Sequence, residues 1–86
     1  MTFSTPAART RVLGHVVSTV LAPPGRTVRY EAHLRTENGP VVCRWSDSSV
    51  AGKVVPGAEV WIEGTAENNS KATVFHNPAV DQVENS

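Results

Sequence analysis

The feature that most constrains this chain is the alternation of apolar and polar residues between positions 28 and 35. Because successive side chains of a strand point to opposite faces, this pattern predicts a strand with one apolar face and one mostly basic face. The residues Glu37, Asn38 and Gly39 then supply a turn, since Asn and Gly tolerate positive φ angles. Pro40 opens a return strand that ends at Trp45. Residues 26–45 are therefore predicted to form a β-hairpin.

Three further segments rich in β-branched residues are predicted strands, namely residues 11–21, 58–65 and 71–76. The first is apolar on both faces, as expected for a strand shared between two halves of a sheet, and Gly14 predicts a bulge or bend in it. Residues 22–25, 56–57 and 68–70 carry turn residues, and residues 79–83 can add a short terminal pairing. Residues 46–55 are polar, with space only for a short helical turn. Five strands with little or no helix between the third and fourth predict a small all-β barrel, because closure removes exposed edges.

The length of 86 residues fits one small domain. We expect a flexible arm over residues 1–10, the barrel over residues 11–83 and a short tail over residues 84–86. No apolar run reaches the roughly 20 residues that span a bilayer, and residues 1–11 lack the apolar core of a signal peptide. These features predict a cytoplasmic protein without a membrane partner. The lone cysteine, Cys43, excludes an internal disulfide and is expected to be a small packed side chain.

The net charge of zero conceals an uneven distribution along the chain. Residues 1–45 contain six arginines and two glutamates, a net charge of +4, whereas residues 46–86 contain two lysines and six acidic residues, a net charge of −4. Arginine forks onto phosphates and stacks on bases better than lysine does. The distribution favours an anionic partner on one side of the domain, and the alternative is two halves that neutralise each other.

Three short motifs resemble the OB-fold, the oligonucleotide/oligosaccharide-binding barrel. Residues 12–16 (VLGHV) resemble the V-x-G-x-V of that family's first strand, and residues 55–64 (VPGAEVWIEG) resemble the P-G-x-x-V-x-I-x-G that opens its fourth strand. Residues 74–80 are similar to the end of the fifth strand in nucleic-acid-binding members. The resemblance covers residues 11–83 and implies a five-stranded Greek-key barrel. The chain departs from the family's pattern at residues 46–55, a segment that is too short and too polar for the helix that often joins strands three and four.

The resemblance also implies a ligand lying across the second and third strands, flanked by two loops. Basic residues there would track phosphates and aromatic rings would stack on bases. The implied contacts are Arg29, His33, Arg35 and Arg44 for the backbone, with Trp45, Trp61 and Phe75 as aromatic platforms. The pattern leaves the side of Trp45 open, because this residue shares parity with Val41 and Cys43 but ends its strand, where faces often twist outward. Tyr30 shares the apolar face and is expected in the core. Glu59 and Glu63 flank Trp61 and would repel phosphates. In the alternative interpretation, the arginines form a solvated face paired with Glu31 and Glu37.

These observations predict a non-catalytic module that binds single-stranded nucleic acid, DNA rather than RNA, as an accessory in replication, recombination or repair. A protein partner from that machinery fits the same prediction. The alternative is a protein-docking module without nucleic-acid binding, with Trp61 as its anchor. Neither an enzyme nor a metal or cofactor is predicted, because no catalytic motif occurs and the histidines and Cys43 lack close ligand spacing.

Overall fold

The computed structural model describes residues 9–68 and 71–83, which form six strands and no α-helix. The strands are β1 (Arg9–Leu21), β2 (Tyr30–Thr36), β3 (Gly39–Trp45), β4 (Glu59–Asn68), β5 (Thr73–His76) and β6 (Ala79–Gln82). Between β3 and β4 lies a single 3₁₀ turn at Ser49–Gly52. The all-β prediction with little helix at this connection is confirmed. Most of the predicted arm, part of the turn at residues 68–70 and the predicted tail lie outside the described residues.

The strands close into a barrel because β1 pairs with two neighbours. Its first half pairs antiparallel with β4, from Arg9 opposite Thr65 to His15 opposite Glu59, and its second half pairs antiparallel with β2. The order continues from β2 to β3, to a parallel β5 and back to β4, while β6 adds a sixth strand beside β4. This is a closed five-stranded barrel with one extra strand, an architecture consistent with an OB-fold.

The bulge in β1 lies at Val17, between Val16 and Ser18, and not at Gly14 as the sequence predicted. Gly14 is buried, and a Cβ atom there would lie 2.6 Å from Leu34 Cδ2. The glycine therefore permits close approach of β1 to β2. The extra residue in the bulge also reverses the alternation, so that Val16 is fully buried whereas Val20 is 55% exposed.

The barrel interior is filled by inward side chains of every strand from β1 to β5, including Val16, Leu34, Cys43, Ile62 and Phe75. The β3–β4 connection also contributes, because Val54 is fully buried and its carbonyl oxygen accepts a hydrogen bond from the Tyr30 hydroxyl. The connection therefore stabilises the barrel although it carries only one short helical turn.

Candidate nucleic-acid interface

The outward side chains of β2 and β3, with the half-buried Arg29 just before β2, form a surface that we call the basic face: Arg29, Glu31, His33, Arg35, Pro40, Val42 and Arg44. The strand register places Glu31 opposite Arg44, His33 opposite Val42 and Arg35 opposite Pro40. Four of the seven predicted contacts, the three arginines and His33, therefore belong to one surface. Alternation along the two strands was sufficient to predict this grouping.

Glu31 is the one carboxylate within the basic face, and it binds two of the predicted contacts. Its Oε1 atom accepts a hydrogen bond from Arg44 Nε at 2.8 Å, and its Oε2 atom lies 2.9 Å from His33 Nε2. The hydrogen bond from Arg44 lowers the pKa of Glu31, with a smaller contribution from His33, against an opposing effect of desolvation. Glu31 thus fixes the Arg44 side chain and neutralises one positive charge of this surface.

Arg35 differs from Arg44 because no carboxylate within the described parts of the chain forms an ion pair with it. Its exposed side chain lines a groove of about 660 Å³ between the middle of β1 and the β2–β3 turn, where His15, Glu37 and Trp61 are also lining residues. An unpaired guanidinium at the rim of a groove is free to bind an external anion.

Arg29 is held at the β1–β2 loop. Its Nε atom donates to the carbonyl oxygen of Ala22 at 3.4 Å, and its backbone N–H donates to Trp45 O at 2.9 Å. A second groove, of about 620 Å³, runs along this loop and is lined by both Arg29 and Arg26. Arg26 was not among the predicted contacts, because the sequence pattern before residue 28 does not assign it to a face.

Two of the predicted aromatic platforms, Trp45 and Phe75, are wrong because both are core residues. Trp45 is 4% exposed, and its indole N–H donates to Pro78 O at 2.9 Å. Phe75 is 1% exposed, and Tyr30, which the pattern assigned to the core, is buried 6.0 Å from the Trp45 ring. A buried ring cannot stack on a base without unfolding of the barrel. The basic face consequently carries no exposed aromatic ring among the described residues.

Trp61 lies on a different surface, which we call the Trp61 face: Arg9, Arg11 and Leu13 of β1 with Glu59, Trp61 and Glu63 of β4. The Arg11 guanidinium carbon lies 4.3 Å from the centroid of the Trp61 ring, a cation–π geometry. Glu63 forms ion pairs with Arg9 at 3.1 Å and with Arg11 at 3.9 Å. Trp61 therefore lines the same groove as Arg35 of the basic face, and an intramolecular cation stacks on its ring. The sequence could not predict this contact, because it depends on the β1–β4 register.

Other kinds of site find no support in the described residues. Burial raises the pKa of the Cys43 thiol to about 12, so the thiolate that nucleophilic chemistry requires is not formed at neutral pH. Within residues 9–68 and 71–83 no three histidine, cysteine or acidic side chains lie close enough together to hold a metal ion. The same residues include no helix that is long and apolar enough to cross a membrane.

Comparison with protein-family models, with curated proteins and with solved structures found no match for this chain. The likeness to the OB-fold therefore rests on the barrel architecture and on the short motifs in β1 and β4. Architecture alone does not determine function. The function must therefore be inferred from the residues of the two outer surfaces.

Proposed function

We propose that the basic face binds single-stranded nucleic acid through its phosphates. The observation that supports this proposal most strongly is the placement of Arg29, Arg35 and Arg44 along one barrel surface, where Glu31 is the single carboxylate. Guanidinium groups spaced along a pair of strands provide the donors that successive phosphates of an extended strand require.

Binding through phosphates, rather than by stacking on bases, follows from the burial of Trp45 and Phe75. Each stacked base contributes about 1–3 kcal/mol in proteins that use aromatic platforms, and the basic face lacks that contribution. We therefore expect modest affinity with little base preference. Three phosphate contacts release about two counterions from a single strand, so the slope of log K against log salt is expected to be about −2.

The test is fluorescence anisotropy of an end-labelled oligothymidine titrated with the protein at several salt concentrations. We expect Arg35→Ala to weaken binding by about three- to tenfold, with a shallower salt slope, because it removes one phosphate contact. Arg44→Ala is expected to weaken binding by less, because Glu31 already pairs with Arg44. Arg9→Ala is the matched control, since it removes an exposed arginine of the Trp61 face that does not line the groove beside Arg35. Unchanged affinity in both basic-face variants would reject the proposal.

Intrinsic tryptophan fluorescence serves as an internal check on where the strand lies. Trp45 is buried, so a change in tryptophan emission on binding reports on Trp61, which lines the groove beside Arg35. Quenching that is abolished by Trp61→Phe would locate the strand in this groove, whereas unchanged emission would locate it on β2 and β3 away from Trp61.

We also propose that the natural ligand is DNA and that the module is a non-catalytic, cytoplasmic accessory in replication, recombination or repair. The support is the same grouping of arginines, which fits any single-stranded phosphate backbone. Competition between oligothymidine and oligouridine of equal length tests the choice of DNA. Tighter binding of the RNA would replace that part of the proposal and leave the basic face as the binding surface.

The second candidate function is protein docking without nucleic-acid binding, and one observation favours it. Large apolar side chains are exposed along the second half of β1, where Val17, Val20 and Leu21 are 50%, 55% and 61% exposed. Exposed apolar side chains that lie together are typical of interaction surfaces. A salt-independent interaction with protein, combined with no anisotropy change for any oligonucleotide, would favour this function.

A further inference from the structure

The second half of β1 has an open backbone edge. Val16 donates its N–H to Ala58 O and accepts from Gly57 N, both on the β4 side of the strand. On the other side, Ala22 N donates to Arg29 O at the end of the pairing with β2. Because backbone groups of successive strand residues point to opposite edges, those of Thr19 and Leu21 point away from β2. No hydrogen bond within the described ranges joins these groups to another strand on that side.

The side chains around this edge are apolar and uncharged. Of the five exposed large apolar residues in the described ranges, four belong to this part of the structure: Val17, Val20 and Leu21 on β1, and Val55 two residues before Gly57. Proteins usually protect open edges with charges, and residues 16–25 carry none.

We propose that this edge pairs antiparallel with the same edge of a second copy of the chain. A two-fold axis through Val20 places Thr19 opposite Leu21 of the second copy, so that the N–H and C=O groups of both residues form four hydrogen bonds. The two Val20 side chains become direct cross-strand neighbours on the outer surface. The absence of charge from residue 16 to residue 25 means that this self-pairing opposes no like charges, which argues for a second copy over a charged partner.

The area that this pairing can bury is small, and a weak dimer is therefore expected. Four side chains that are each about half exposed, together with two backbone residues, bury much less than the roughly 1,600 Å² of a standard interface. We therefore expect a reversible dimer, which forms as the protein concentration rises from about 10 μM to about 1 mM. The pairing uses the opposite edge of β1 from β2 and leaves Arg35 and Arg44 accessible, so this inference does not depend on the proposed function.

The experiment is sedimentation equilibrium over that concentration range, starting from the 9.2 kDa chain. The expected result is a mass that doubles with concentration for the natural sequence, and at least tenfold weaker association for Val20→Lys and for Val20→Glu alone, because each places like charges opposite one another. An equimolar mixture of the two variants is expected to dimerise again, since the axis pairs the lysine with the glutamate. Leu13→Lys is the control, because Leu13 is an exposed apolar residue away from this edge.

Two results would overturn the proposal. One is a mass that stays at that of a single chain up to about 1 mM, the upper limit for weak interfaces. The other is association that Val20→Lys leaves unchanged or that the mixture does not restore, which would indicate a different surface. Circular dichroism of each variant verifies folding, and amide exchange at Thr19 and Leu21 should slow as the natural sequence dimerises.

Discussion

The basic face and the Trp61 face are both outer surfaces of the same barrel, yet their arginines differ in the intramolecular contacts that they make. On the Trp61 face, Arg11 stacks on the Trp61 ring and both Arg9 and Arg11 reach Glu63. On the basic face, Glu31 binds Arg44, whereas Arg35 has no ion-pair partner in the described residues. The number of arginines on a surface is therefore a poor guide to whether it binds a ligand. A guanidinium group is available to an external ligand only to the extent that no carboxylate or aromatic ring of the same chain already binds it.

The largest expected difference between the two regions concerns their tryptophans. Trp45→Ala removes a ring that is 4% exposed and leaves Pro78 O without its indole donor, so we expect a loss of about 3–5 kcal/mol in the free energy of unfolding. Trp61→Ala removes a half-exposed ring, and about 1 kcal/mol is expected. Urea denaturation of both variants measures the difference. Equal losses would show that Trp61 is as important to the core as Trp45.

Gly14 lies where β1 passes from β4 to β2, so it connects the strands that carry the two faces. Gly14→Ala places a methyl group 2.6 Å from Leu34 Cδ2, and we expect a loss of about 1–3 kcal/mol in stability as β1 and β2 separate. Thermal unfolding followed by circular dichroism measures the loss. In a Leu34→Ala background the added cost of Gly14→Ala should be smaller, because the shorter side chain makes room for the methyl group, although Leu34→Ala itself destabilises the core. An equal cost in both backgrounds would locate the strain elsewhere.

The sequence predicted most of the fold because the alternation in β2 and β3 is regular, and alternation determines which side chains enter a barrel. The polar set of β2 was correctly predicted to lie outside for that reason. Prediction failed where strands are irregular. The bulge at Val17 reverses the faces of β1, so Val20, which shares sequence parity with Val12 and Val16, is exposed.

The candidate site was less predictable than the fold. Trp45 shares parity with Val41 and Cys43, and the core position that this parity predicts is the correct one. Its assignment as a platform came from the family resemblance and from the expectation that strand ends twist outward. The burial of Phe75 depends on the pairing of β5 with β3, and the contact of Arg11 with Trp61 depends on the register of β1 with β4. Such long-range pairings leave no local pattern in a single sequence.

A pH titration of stability measures what the ion pair between Glu31 and Arg44 contributes. The pKa of Glu31 is lowered in the folded protein by the Arg44 hydrogen bond, so its contribution to stability is present above its unfolded pKa of about 4.5 and is lost as pH falls through the lower folded value. Because the pair is partly exposed, we expect a contribution below about 1 kcal/mol. Glu31→Gln should therefore flatten the decrease in stability between pH 6 and pH 3.

The control for this titration is Glu63→Gln, which alters a carboxylate that pairs with Arg9 and Arg11 on the Trp61 face. If Glu63→Gln flattened the acid dependence more than Glu31→Gln does, the ion pairs of the Trp61 face would be the stronger ones. The conclusion that the pair of Glu31 and Arg44 is stronger than the more exposed pairs of Glu63 with Arg9 and Arg11 would then be wrong.

The smallest expected effect concerns the cation on Trp61. Arg11→Gln keeps a polar side chain but is shorter and removes the charge, and about 0.5–1 kcal/mol of stability should be lost, since exposed cation–π contacts contribute about that much. Lysine retains a charge at this position, so Arg11→Lys is expected to recover part of the loss. The emission of Trp61, measured in a Trp45→Phe background, should respond to the glutamine variant more than to the lysine variant. If both variants leave stability and emission unchanged, Arg11 does not occupy the ring in solution, and Trp61 is then open to a partner as the ring that the basic face lacks.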